Sequence, residues 1–222
     1  GERLTNGTKN TVMGYSALTG NHQGGHNTVI GYESAKGVTD NAHSFNSAVG
    51  YRSLYAVTSG GSNTVMGYLA GSALTTGGNN TALGANALKT STDVQYAVAI
   101  GESAMAGGDV TAAADGTVAI RFSALQALTT GASNIAIGSN ALKVHTTGAR
   151  NIAIGELAMT DNNAGSTSLG SADNVFIGYT AGGGTWTDAA SNQNIGIGTN
   201  VMNGALAGAL NNVGIGTNAL RA

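Results

Sequence analysis

Asn134-Ile135-Ala136-Ile137-Gly138-Ser139-Asn140-Ala141 and, 17 residues further on, Asn151-Ile152-Ala153-Ile154-Gly155-Glu156-Leu157-Ala158 are one unit written twice. Working outward in both directions, the unit recurs with its Gly at Gly14, Gly31, Gly50, Gly67, Gly84, Gly101, Gly178, Gly198 and Gly216, and once with Arg121 in the place of the Gly. That makes twelve copies, at intervals of 17, 19, 17, 17, 17, 20, 17, 17, 23, 20 and 18 residues. Every departure from 17 is an insertion, which is how a solenoid carries variable loops on a fixed coil. The chain therefore reads as a single repeat solenoid over residues 1–222, without separate domains.

Composition agrees with a thin rod and disagrees with a globule. The 222 residues include 36 Gly, no Pro and no Cys, with 9% charged and 5% aromatic residues. So few charges do not cover a normal surface, and so few large side chains do not fill a normal core. A net charge of −2 with scattered Lys and Arg excludes an electrostatic footprint for nucleic acid. Without Cys there is no disulfide framework or Cys-ligated zinc. The uncharged stretch from Ala189 to Leu220 is interrupted by Asn and Gly every few residues, so no membrane insertion is expected. Gly1-Glu2-Arg3 begins no signal peptide, and the chain reads as a segment of something longer.

Within one unit, Asn stands four residues before the Gly in ten copies: Asn10, Asn27, Asn46, Asn63, Asn80, Asn134, Asn151, Asn174, Asn194 and Asn212. Stacked coil above coil, these amides are expected to hydrogen-bond along the rod as a structural ladder. The three residues between Asn and Gly are apolar or β-branched and too few for a helix, so each coil supplies a short strand and the fold class is all-β. Side chains alternate across a strand, so consecutive apolar positions imply that both faces are buried, one inside the coil and one against a partner. The middle position is small in most copies (Ala48, Ala82, Ala99, Ala119, Ala136, Ala153, Gly196, Gly214) and reads as the surface where neighbouring chains approach. A homo-oligomer of parallel solenoids is expected. The Gly permits a sharp bend, and an Ala three residues later implies a second narrow strand or a turn. Twelve coils at about 4.8 Å each give a rod of about 58 Å.

The unit Asn134-Ile135-Ala136-Ile137-Gly138-Ser139-Asn140-Ala141 resembles the head repeats of trimeric autotransporter adhesins, and the Asn-Thr-Val-x-Gly-Tyr-x-Ala form of the early copies is similar to repeats of bacteriophage tail fibres. This resemblance covers almost the whole chain. It implies a left-handed parallel β-roll of about twelve short coils, a homotrimeric rod, an extracellular place on a virion fibre or bacterial surface, and attachment to a cell-surface glycan or protein receptor.

Candidate binding residues come from the positions that vary. The residue after the Gly is Tyr in the first four copies, Tyr15, Tyr32, Tyr51 and Tyr68, and then becomes mixed. Stacked coils place these rings in a row, which is either a platform for sugars or an offset stack that stabilises the rod. Trp186, beside Asp188 on the insertion after Gly178, reads as a sugar contact, as a cap folded onto its own coil, or as a ring packed on a neighbouring chain. His22, His26 and His43 have neither the acids nor the spacing of a metal site and read as solvated loop residues. Gly214-Ile215-Gly216-Thr217-Asn218-Ala219 fits the dinucleotide fingerprint in form only, since no helix follows, and no cofactor is expected. The 11 acids fall singly on different coils without a recurrent pair, and no nucleophile triad is visible. The expectation is a non-enzymatic fibre segment for attachment, with a structural spacer as the alternative and a glycan depolymerase or an ice-binding solenoid behind it.

Overall fold

A computed structural model describes residues 7–37, 41–160, 170–184, 189–204 and 208–221. Twelve strands of three residues each form one parallel sheet: β1 (Thr11–Met13), β2 (Thr28–Ile30), β3 (Ser47–Val49), β4 (Thr64–Met66), β5 (Thr81–Leu83), β6 (Val98–Ile100), β7 (Val118–Ile120), β8 (Ile135–Ile137), β9 (Ile152–Ile154), β10 (Val175–Ile177), β11 (Ile195–Ile197) and β12 (Val213–Ile215). Their order in the sheet is their order in the chain, so the molecule is a β-solenoid in which each coil pairs only with the coils before and after it. Equivalent residues pair throughout, as in Ala136 with Ala153 and Phe176 with Gly196. The variable insertions leave this register intact, because they leave the sheet between one strand and the next.

The strands end where they do because of the Gly that follows each one except β7, which Arg121 follows. The φ of this Gly runs from +116° at Gly216 to +147° at Gly138, a backbone region that β-carbons disfavour. Space decides the matter as strongly as φ: a Cβ on Gly84 would lie 2.6 Å from the carbonyl oxygen of Gly101 in the next coil. Two residues and four residues past the Gly the chain enters the left-handed region, at Asn140 (φ 57°) and Leu142 (φ 50°), for example. This places successive amides on opposite sides. Asn140 N–H donates back to Phe122 O at 2.9 Å, and Leu142 N–H donates forward to Ala158 O at 3.0 Å. The segment after the Gly is thus a tight turn hydrogen-bonded to both neighbouring coils, and not a second strand.

The core is a narrow column inside the coils. From Val29 onward the middle residue of every strand is buried, and it shares one core with the mostly small or apolar residues three and four past the Gly, as Ala136 does with Ala141 and Leu142, all at 0% exposure. This corrects the reading of the middle position as the place where chains approach one another: it faces the coil's own interior. Its small size follows from the thinness of the coil, and where Phe176 stands there instead, the room comes from Gly182 and Gly196. A Cβ on Gly196 would lie 2.5 Å from the Phe176 ring. Each inward Leu contributes about 1.5–3 kcal/mol by leaving water, repeated coil by coil.

The other two residues of each strand face outward. The third strand residue is Met, Ile, Val or Leu in all twelve strands, and the first changes from Thr or Ser in β1–β5 to Val or Ile in β6–β12. These side chains are half-buried along most of the sheet and open at its ends, with Met13 64% and Ile215 70% exposed.

Candidate functional site

The Asn of each unit is held by the coil geometry itself. Its Oδ1 accepts the backbone N–H of the Asn one coil on, as in Asn27 N–H to Asn10 Oδ1 and Asn151 N–H to Asn134 Oδ1, both 2.9 Å. In most coils its Nδ2 donates to the Oδ1 of the Asn one coil back, as from Asn174 to Asn151 at 3.0 Å, and to a backbone carbonyl 14 to 20 residues ahead, as from Asn63 to Gly77 at 3.0 Å and from Asn151 to Ser171 at 2.8 Å. The ladder runs through Asn10, Asn27, Asn46, Asn63 and Asn80, where Asn80 Oδ1 accepts Ala97 N–H, and resumes through Asn134, Asn151, Asn174, Asn194 and Asn212. Its interruption at Ala97 and Thr117 adjoins the short 3-10 turn Ala112–Ala114 and Arg121, whose φ of 95° is a strained value for a residue with a Cβ.

The four tyrosines form a continuous stack on the outside of the first four coils. Centroid separations are 5.3, 5.3 and 5.4 Å, with interplanar angles of 16°, 7° and 14°. Parallel rings at that distance are offset, each partly covering the face of the next. The outer rings are the most open, Tyr15 at 70% and Tyr68 at 54%, against 44% for Tyr32 and 40% for Tyr51. The faces are therefore largely taken up within the stack, and the row offers edges and hydroxyls sideways.

Beside the stack lies a charged group that sequence reading missed. Glu33 accepts from Lys36 Nζ at 2.7 Å and from Arg52 Nε at 2.6 Å. The Arg52 guanidinium lies 5.4 Å from the Tyr51 centroid and 5.1 Å from that of Tyr55, and Lys36 Nζ lies 5.7 Å from Tyr55. The Lys36 hydrogen bond, with Arg52 adding to it, holds the Glu33 carboxyl below the usual carboxylate range, against the effect of its burial. Glu33 and Arg52 both stand two residues past the Gly, and Lys36 and Tyr55 both five past it. Superposing the copies column by column reveals these contacts, because the same position in adjacent coils is a direct neighbour. Arg150 and Asp173 obey the same rule, bonded twice at 2.6 and 2.8 Å, as do the stacked rings of His26 and Phe45 at 4.9 Å. So do Thr58, Thr75 and Thr92, where the hydroxyl of one bonds the carbonyl of the next at 3.0 Å.

The histidines depart from a common solvated role. His26 is exposed, but His43 is fully buried beside the Asn ladder, its Nδ1 3.2 Å from Asn46 Nδ2, and burial pushes its pKa down to about 4. It stands three residues before its Asn, where Gly24, Gly60 and Gly77 stand in their own coils. Among the described residues no group of three His, Asp or Glu is placed to hold a metal ion. Trp186 and Asp188 lie outside the described residues. In comparison with known proteins, the chain matches no family model, no curated protein and no solved structure.

Proposed function

We propose that this chain is a segment of a non-enzymatic surface fibre, that three copies run parallel with their sheets facing one another, and that the assembled rod attaches to a receptor on a host cell or matrix. The observation that carries the reading is the outward face of the sheet. Its column of Met13, Ile30, Val49 and Met66, continued by Leu83 and Ile100 and beyond, is apolar in every coil, and among the described residues no second sheet lies over it. A stripe about 50 Å long and roughly 10 Å wide, about 500 Å², is at the upper end of the apolar patches that solitary soluble chains leave in water, a size that commonly marks an interaction surface. Copies of the same rod, with the same rise per coil, are the partner whose ridges match it along its whole length. The role in attachment, and the extracellular place that goes with it, rest on the resemblance of the repeats and on the tyrosine row that the rod leaves facing outward.

Light scattering on the native chain tests the assembly. Three chains per particle are expected, and one chain per particle overturns it. Two substitutions separate assembly from folding. Ala136→Asp places a carboxylate in the coil's own core and unfolds the rod, whereas Ile137→Asp stands on the outward face and leaves single chains folded while splitting the particle. Binding of the isolated rod to host cells distinguishes a receptor-binding segment from a spacer, and release of reducing ends from capsule or lipopolysaccharide would identify a depolymerase instead.

A further inference from the structure

We propose that Arg52, with Lys36 beside it, is an anion receptor for an acidic oligosaccharide lying along the tyrosine stack. The inference rests on the attachment reading above and names the class of ligand. Two cations share the single carboxylate of Glu33, so the group carries one net positive charge. Arg52 is engaged through Nε alone; its two terminal amino groups donate to no other protein group among the described residues. Glu33 on one side and the rings of Tyr51 and Tyr55 on the other fix the guanidinium. A cation held in this way has given up its rotamer freedom before a ligand arrives, so binding does not incur that cost again. The open end of the guanidinium presents two parallel N–H donors, the geometry that takes two oxygens of a carboxylate or a sulfate.

The surroundings favour a sugar over a peptide. Each of β2, β3 and β4 is hydrogen-bonded to a strand on both sides, so no free edge is available here for an extended acidic peptide to join the sheet. The stack instead presents four phenol groups, one per coil, with ring edges between them. Such a surface gives a polyol hydrogen-bonding partners at a regular spacing and apolar edges for its C–H groups. Arg52 and Lys36 stand on the turn segment after the Gly and not on the strands whose outward faces mate in the proposed assembly, and their side chains are 39% and 33% exposed.

The test measures binding to the assembled native chain by calorimetry, with four probes: a uronic-acid oligosaccharide, a sulfated oligosaccharide, a neutral oligosaccharide of the same backbone and a poly-glutamate peptide. The first two arms separate carboxylate from sulfate as the source of the anion. At least one acidic sugar is expected to bind about tenfold or more tightly than the neutral chain, and to weaken as salt is raised. Arg52→Gln is expected to lose about tenfold or more, and Arg52→Lys to keep only part of the affinity. Thermal unfolding by circular dichroism checks each variant's fold. Should Arg52→Gln not fold, Lys36→Gln and the salt dependence of the native chain carry the same test, the first by a several-fold loss. Equal binding of neutral and acidic sugars, native affinity in both variants, or tighter binding of poly-glutamate overturns the site. Cell attachment that survives Arg52→Gln overturns this site and leaves the attachment reading standing, while a native chain that attaches to no cell overturns both.

Discussion

Removing one rung of the Asn ladder has a cost that can be worked out bond by bond. In Asn151→Ala, Asn174 N–H loses Oδ1 at 3.1 Å, its acceptor in the fold, and Asn174 is fully buried. Three further bonds to oxygen vanish, Asn174 Nδ2 to Asn151 Oδ1 at 3.0 Å, and Asn151 Nδ2 to Asn134 Oδ1 at 3.1 Å and to Ser171 O at 2.8 Å, together with the 3.3 Å contact of Asn151 Nδ2 with His145 Nε2. Each partner of these three keeps another bond. Asn134 Oδ1 still accepts the backbone N–H of residue 151, Asn174 Nδ2 still reaches Ser191 O, and Ser171 O remains 2.8 Å from His145 Nε2. The orphaned amide costs about 1–3 kcal/mol and the three lost bonds about 0.5–1.5 kcal/mol each, which together make roughly 2.5–7.5 kcal/mol. Urea unfolding at fixed protein concentration measures the total, and hydrogen exchange at Asn174 measures the local part, which matters because a solenoid can open coil by coil. A loss under about 1 kcal/mol with Asn174 N–H still protected would refute the reasoning, because it would mean that water or a shifted carbonyl replaces the side chain at no cost.

Two other outcomes follow from the same geometry. Gly84→Ala forces a Cβ to 2.6 Å from Gly101 O at a φ of +136°, so it is expected to cost about 3 kcal/mol or more, whereas Arg121→Gly removes an existing strain and should gain about 1 kcal/mol; thermal unfolding of the pair checks the opposite signs. His43, near 6.5 when unfolded and about 4 when folded, is buried neutral, so its contribution is complete above pH 6.5 and drains away as pH falls toward 4, by about 3 kcal/mol; His43→Gln should flatten that part of a stability-against-pH curve, and an unchanged curve counts against the assignment.

The neighbourhoods around Ala97 and Arg121 show how far a repeat can be read as structure. The intervals between Gly residues, the Asn four places before each Gly and the apolar triplet between them are enough to specify parallel coils, since only a stacked solenoid makes such spaced copies neighbours. The same alignment marks coils where Asn or Gly is missing, and the structure places a 3-10 turn, an interrupted ladder and a strained Arg121 there. The Glu33, Lys36, Arg52 and Tyr55 cluster was legible in principle, but only after the coil register had converted sequence columns into contacts. His43 was not legible at all: nothing in its local sequence distinguishes a buried imidazole from a solvated one, and its burial comes from coils on either side.

By itself the sequence determined the period, the place of each strand and the Gly that ends it, because these depend on local backbone chemistry repeated at fixed spacing. Only the tertiary structure decided which face of the strand is the core. Alternation says that residues such as Ile135 and Ile137 point one way and Ala136 the other, but it is silent on which way is inward. The turn after Gly138 settles it by carrying Ala141 and Leu142 back over Ala136, so the small residue closes a thin interior and the two large ones are left facing out.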